Sequence, residues 1–420
     1  MAGHSATEKI LALRSGKKEV FPGDVVVCDV DGIFVHSPWF FLSYWKEIGG
    51  VKRCFDPDKL ILGLGHHVCL PADNRYANDL LEARKAAEKY GFKHLYDMGT
   101  GNGHIIMLEK GHVRSGYVYV GADSHSTIYG ALGAFGTPTS YEVAEILLSG
   151  KAWFKVPSTV RVTMEAQPMK GVCARDVAQY VLATVGADGA LMKSLDFSGS
   201  YIHSLSIYQR MIFSLLSVEM GAITGFIEPD EITRKFMDGR VRNPYEIVYN
   251  DPDCVFEKEW FVDVSKVEPM IACPPRPALT ERVADIEKKD IKVHQAYIGG
   301  CTGSSVEDFE MAAEILRGRS IHPDTRLIIV PGTQDILKDM QRKGLIEFFT
   351  ELGAIISPPY CGPCQLCCYG HLGEEEVMIG THPRNQPGRA GVNGGIYLAS
   401  PYTVAASAIC GKITDPRRFL

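Results

Sequence analysis

Apolar positions along this 420-residue chain fall in short runs that alternate with longer amphipathic stretches. Asp24–Cys28 (DVVVC), Tyr117–Val120 and Leu327–Val330 are compact apolar runs, the pattern of buried strands. Between them, Asn78–Tyr90 and Val306–Arg317 repeat apolar residues three and four apart, which predicts helices with one buried face. Ser304 and Ser305 precede the second of these, and their hydroxyls can cap its first turn. Strand and helix alternate over most of the chain, so the expected class is α/β with largely parallel sheets.

Two breaks interrupt the alternation. After Lys155-Val156-Pro157 the chain becomes more strand-rich, as in Thr159–Met164. The stretch 272–277 then carries Pro274, Pro275 and Pro277, none of which suits a helix interior or a central strand. With roughly 100–200 residues to a domain, these breaks predict three domains, spanning 1–157, 158–290 and 291–420.

Composition narrows the function. Forty-four basic residues against 50 acidic give a net charge of −6, without a Lys/Arg block, which argues against nucleic-acid binding and against a basic membrane-facing surface. No apolar run reaches the ~20 residues of a membrane span. The opening MAGHSATEKILALRSGKKEV lacks the apolar stretch of a secretory signal, so a cytoplasmic location is expected. Twelve cysteines in a reducing compartment point to metal binding or catalysis rather than disulfides. Cys28, Cys173, Cys254 and Cys410 sit in apolar or mixed stretches and read as small hydrophobes, whereas Cys361, Cys364, Cys367 and Cys368 stand close together.

Several motifs compete for the chemistry. Val25–Gly32 (VVVCDVDG) has the form of a phosphatase strand followed by Asp-x-Asp-Gly, and Asp97–Gly103 (DMGTGNG) that of a methyltransferase's S-adenosylmethionine turn; such short patterns arise often by chance. Cys361-Gly362-Pro363-Cys364 brings two thiolates together on a turn, and soft thiolates select zinc or iron–sulfur chemistry. A structural zinc would require four ligands, which Cys367 or Cys368 would help supply. Another cysteine, Cys301, lies in a glycine-rich segment that lets backbone approach a bulky ligand. Asp123-Ser124-His125 follows an apolar strand, where Asp and His can share a proton-handling site; a satisfied structural pair is the plainer reading.

Taken in order, GADSHSTIYGALGAFG (121–136), IGGCTGSSVEDFEMAAEIL (298–316), CGPC (361–364), RNQPGRAG (384–391) and YLASPYTVAASAICGKI (397–413) resemble the large subunits of the aconitase and 3-isopropylmalate dehydratase family. TEKILA (7–12), Pro22-Gly23-Asp24 and FIEPDE (226–231) extend the resemblance over nearly the whole chain, and place both short glycine-and-acid patterns within the family's own loops. It implies an aconitase-like three-domain α/β/α architecture around an iron–sulfur cluster, without the swivel domain of single-chain relatives. It implies a hydro-lyase that dehydrates a 2-hydroxydicarboxylate, such as 3-isopropylmalate or dimethylmalate, or a tricarboxylate as in homoaconitase and aconitase. Cys301, Cys361 and Cys364 match the ligands of a 4Fe-4S cluster with one open iron site, and Cys367 and Cys368 become packing residues. His67, His104, Asp123, His125 and Glu307 match the catalytic carboxylate–imidazole pairs, with Asp123 expected on His104 and Glu307 on His125. Such pairing is expected to raise an imidazole's pKa. Ser124, Arg384 and Arg389 match the substrate-binding set. A separate small subunit bearing the swivel domain and a serine base is the implied partner, since the chain stops where the third domain is expected to end. An iron-responsive RNA-binding relative is a rival from another class, disfavoured by the acidic charge.

The chain also departs from the family pattern. His66 stands where an Asp normally precedes the active-site His67, Gly303 stands for Asn, Gly103 for Cys, and His36-Ser37 is followed by Trp39-Phe40-Phe41. These exchanges leave the three cysteines intact and point to a more apolar substrate than citrate.

Overall fold

The computed structural model describes residues 3–47, 55–71, 73–140, 142–365, 369–391 and 395–420. Cys367 and Cys368 lie outside these described residues. Three main sheets succeed one another along the chain. The first has five parallel strands in the order His94–Tyr96, Leu60–Gly63, Gly32–Val35, Val118–Gly121 and Phe135–Pro138. The second has four, all parallel, ordered Thr224–Ile227, Ser194–Ser198, Thr159–Glu165 and Glu259–Asp263. A seven-stranded third sheet has a parallel centre in which Gln295–Ile298 lies between Arg326–Ile329 and Met378–Gly380. Strands Met270–Ala272 and Thr280–Arg282, which precede residue 290, extend this sheet antiparallel at one edge. Central strands such as Gly32–Val35 and Val118–Gly121 are buried at every position, as parallel strands covered on both faces must be.

Most predicted elements form near their expected bounds, including helices Asn74–Tyr90 and Val306–Leu316. One differs in kind. The DVVVC run forms strand Val25–Asp29, but it pairs antiparallel with Lys151–Lys155 in a separate two-stranded ribbon. Val26 and Cys28 pack inward with Ile10 and Leu11 of helix Ala6–Ser15, while Val25 and Val27 are 63% and 54% exposed. A two-stranded ribbon covered on one side buries only alternate residues, and a continuous apolar run cannot reveal that.

A single apolar core joins the first and second sheets, running from Phe34 and Tyr119 to Val160 and Phe197, and extends to Cys301, Cys361 and Cys364. The third sheet packs helices Val306–Leu316 and Pro401–Cys410 over a core of its own. Among the described residues no helix is long and apolar enough to cross a membrane.

Candidate active site

Side chains that carry chemistry gather where parallel strands end. In the first sheet, the loops leaving three neighbouring strands bear His36, His66-His67 and Asp123–His125. In the third sheet, Gln295–Ile298 leads into Cys301, Ile355–Ile356 into Cys361 and Cys364, and Met378–Gly380 into Arg384 and Arg389. The carboxyl ends of parallel strands are the usual ligand-binding edge of such sheets. Here two such edges meet. Asn102 Nδ2 donates to Cys301 Sγ at 3.0 Å, the Cys361 N–H donates to the His66 carbonyl at 2.8 Å, and Arg384 Nη1 donates to Ser124 Oγ at 2.7 Å.

Asn102 explains the glycine-rich DMGTGNG segment. Its side chain caps helix Gly103–Glu109 by accepting the His104 N–H, while its amide reaches the cysteine. Gly101, at φ 128°, lets the loop lie against the Gly332–Thr333 backbone, where a Cβ would come within 2.4 Å of the Gly332 carbonyl oxygen. Gly101 thus serves close backbone approach, and Gly103 packs against the Phe34 ring.

Asp123 is the hub of the histidine side. Its Oδ1 lies 3.0 Å from His104 Nε2 and accepts the His125 N–H at 2.8 Å, capping the 3-10 helix Ser124–Leu132. Its Oδ2 lies 3.9 Å from His36 Nε2 and 4.0 Å from His67 Nε2. Burial pushes the carboxyl upward, but the charge and hydrogen bond of His104, with further help from His36 and His125, hold it well below the usual carboxylate range. His67 therefore has a carboxylate nearby although the residue before it is His66. The expected rise does not occur at His67 and His125. Burial outweighs Asp123 and holds His67 and His125 well below the ordinary histidine range, with His36 at about 4. These rings are neutral at neutral pH in the ligand-free chain.

The three cysteines are 2–5% exposed. The Cys361 thiol interacts with both Cys301 and Cys364, which with burial holds its pKa well above the ordinary value. Cys364 is brought down to about 7 by its hydrogen bond with Cys361 and by the guanidiniums of Arg389 and Arg384. Arg389 Nη1 lies 2.7 Å from the Cys364 carbonyl oxygen and 3.4 Å from its Sγ. Gly362, at φ 72°, packs on Tyr297, whose hydroxyl donates to the Cys361 carbonyl at 2.7 Å; a Cβ there would sit 2.1 Å from that hydroxyl. Three converging buried sulfurs, one of them easily ionised, fit a soft-ligand metal group. His66 also contributes, with one ring nitrogen within 4.8 Å of the sulfurs of Cys301 and Cys361 and Nδ1 accepting the Gly103 N–H at 2.9 Å.

Other predicted residues fall differently. The Glu307 carboxylate accepts from Ser206 at 2.8 Å and forms no ion pair with His125. It thereby ties the start of its own helix to Ser206, the cap of helix Ile207–Leu216. The carboxylate near His125 Nε2 is Glu219, at 3.9 Å, which also ion-pairs with Arg384. Sequence reading missed Glu219, yet a signal existed: it is the one charged residue between Arg210 and Glu228, within an otherwise apolar stretch. Ser305 caps Val306–Leu316 in a reciprocal box with Asp308, whereas Ser304 is buried with its hydroxyl unbonded among the described residues.

A cavity of about 1120 Å³ opens beside this cluster, lined by His36, Asp123 and Ser124 at one end and by Phe40, Ile146 and Trp153 further out. Aromatic rings back the histidines: Phe40 lies 4.6 Å from His36 between centroids, and Trp39 stacks on His67 at 6.2 Å.

A sequence model described as the aconitase family (aconitate hydratase) matches residues 71–289 and 278–411. A Methanopyrus kandleri protein named 3-isopropylmalate dehydratase large subunit 1 is 40% identical over 422 residues, covering 100% of both chains. A Pyrococcus furiosus protein of the same name is 39% identical over 99% of each chain. A 3-isopropylmalate dehydratase large subunit of Hydrogenobaculum is 37% identical, covering 99% of this chain and 98% of its own.

Proposed function

The chain belongs to the aconitase family, and from that membership we propose that it is the cluster-bearing large subunit of a hydro-lyase acting on a 3-alkylmalate, foremost 3-isopropylmalate. The observation that carries this reading is the meeting of three buried cysteines with the Asp123–histidine hub across facing strand ends. Cys301, Cys361 and Cys364 would hold a 4Fe-4S cluster. A cluster with three thiolate ligands leaves one iron open, which supplies Lewis acidity toward a hydroxyl and a carboxylate.

The chain's own residues do the rest. Arg384, fixed by Glu219 and directed at Ser124, offers its planar fork to a substrate carboxylate, with Arg389 close to Cys364. His125 Nε2 is buried without a hydrogen-bond partner among the described residues, while Nδ1 lies 3.4 Å from Asp123. That geometry suits proton delivery to a departing hydroxide, with Asp123 orienting the ring. After burial, the Arg384 charge is the largest influence lowering the His125 pKa. A bound dicarboxylate neutralises that cation and favours the protonated ring. His104, between Asp123 and Tyr129 Oη at 3.3 Å, and His67 complete the hub.

Trp39 and Phe40 beside the histidines support an apolar substituent on the substrate, although an apolar pocket discriminates one methylene by only ~1–3 kcal/mol. Overlapping turnover of dimethylmalate is therefore part of the reading. The partner is a small subunit carrying a swivel domain and a serine base, in keeping with the large-subunit names of the relatives. We propose three units with boundaries near residues 157 and 290, while the third sheet draws strands Met270–Ala272 and Thr280–Arg282 from before the second boundary. Anaerobic reconstitution with iron and sulfide, addition of candidate small chains, and assay with 3-isopropylmalate, dimethylmalate and citrate test the whole scheme. Turnover of the alkylmalates only with a small chain is expected; exclusive turnover of citrate sinks the substrate assignment.

A further inference from the structure

Two arginines are among the largest fully buried side chains, and they are treated differently. Arg210 forks onto Asp230, with Nη1 to Oδ1 at 2.9 Å and Nη2 to Oδ2 at 2.6 Å. Arg175, 1% exposed in helix Ala174–Val185, has no such partner. Its Nη1 donates to Thr302 Oγ1 at 2.7 Å, its Nη2 to the His382 carbonyl at 3.0 Å, and its Nε to nothing among the described residues. The acids around it are committed elsewhere. Asp176 accepts the N–H groups of Cys173 and Met270, Asp308 holds Ser305, and Glu219 holds Arg384. Burial brings the guanidinium pKa down only to about 10, so it is a cation at neutral pH. Asp176, Asp308 and Glu219 act on it through space, but none is an ion-pair partner, and a buried cation held only by a hydroxyl and a carbonyl is favoured by further negative charge nearby.

Arg175 is fastened to the residue after Cys301. Thr302 Oγ1 in turn donates a hydrogen bond to the Thr381 carbonyl at 2.7 Å, and the Thr381 hydroxyl bridges to the backbone of Gly299. The helix thus clasps two strand-end loops of the third sheet, those after Gln295–Ile298 and Met378–Gly380, while Arg389 approaches Cys364 directly. Three thiolates outweigh the positive charge of an iron–sulfide core, so the loaded site is anionic.

We propose that Arg175 is the buried counter-charge of that anion and a positioning residue for the Cys301 loop. The proposal rests on the cluster reading above. Charge near a cluster and hydrogen bonding around it set its reduction potential. Removing a cation disfavours the added electron, so the potential falls.

The test uses the full chain, reconstituted anaerobically, as wild type, Arg175→Met and Arg175→Lys. Iron and sulfide per chain, circular dichroism, EPR-monitored redox titration and iron release to a chelator are measured. Wild-type chain that takes up no sulfide overturns the cluster reading itself, and the proposal with it. With wild type loaded, Arg175→Met is expected to shift the midpoint downward and release iron several-fold faster, while Arg175→Lys stays close to wild type. An unchanged midpoint and release rate in Arg175→Met overturns the proposal, as does a Lys variant displaced as far as the Met variant. Should Arg175→Met fold but fail to load, loading by Arg175→Lys supports the proposal, and failure of both folded variants overturns it. Should Arg175→Met fail to fold, Arg175→Lys decides alone, a near-wild-type midpoint supporting the proposal and a clear shift overturning it.

Discussion

The two faces of the site differ in what they leave unmet. On the histidine face the carboxylate of Asp123 lies within 4.0 Å of ring nitrogens from His36, His67, His104 and His125, so the chain itself supplies the anion that these rings share. On the cysteine face three thiols converge, Arg389 leans on one sulfur, and Arg175 stands buried without an ion-pair partner among the described residues. One face is a proton-handling network built from the chain's own side chains. The other has positive charge and soft ligands prepared for something negative. Acid–base groups are useful only when preset, whereas a metal group brings its own charge and completes its site on binding.

The largest expected effect tests the cysteine face. Cys361→Ser or Cys364→Ser should abolish both the visible absorbance of reconstituted protein and all turnover, because each removes a thiolate from a set of three. Ser at Cys367 or Cys368 should leave both largely intact; equal loss there would erase the distinction between the cysteines.

On the other face, Asp123→Asn should lower turnover by ~10²–10⁴ while iron content stays unchanged. Amide in place of carboxylate keeps the shape but no longer stabilises a protonated His125. Iron and sulfide analysis of the variant beside its kinetics shows whether the faces are separable, and joint loss would break the comparison.

Glu219→Gln is next. It removes the anion that fixes Arg384, so KM for the diacid should rise more than kcat falls, with a stability loss of ~1.5–3 kcal/mol by chemical unfolding. Glu307→Gln should leave kinetics near those of the unaltered chain, because its partner is Ser206. Reversed effects at these two positions would restore the pairing expected from sequence.

The smallest effect is on acid stability of the cluster-free chain. His36 accepts a proton at about 6.5 when unfolded but only at about 4 when folded. Between those values the unfolded state binds more protons, so stability rises with pH and is lost as pH falls through that window. His36→Gln should flatten the slope of unfolding free energy against pH there, as measured by urea titrations from pH 7 to 4.

Sequence alone carried the strand–helix alternation, and with it the parallel sheets, because period and length of apolar runs reflect burial directly. It also carried Cys361 and Cys364, whose spacing on one turn is local, whereas joining Cys301 and Asp123 to them took the family resemblance. The ribbon at Val25–Asp29 escaped it, because an apolar run does not say which strand will pair with it. Glu219 escaped as His125's neighbour because it arrives from a helix end more than ninety positions away, and Glu307 was misassigned for the same reason. Whether His36, His66 and His67 are charged was also a tertiary outcome: burial, which no residue shows by itself, outweighs the one carboxylate they share. Arg175 is the clearest case. Its sequence neighbours give no hint of its burial, and only the packing of its helix against the Cys301 loop leaves a cation in the interior without an ion pair among the described residues.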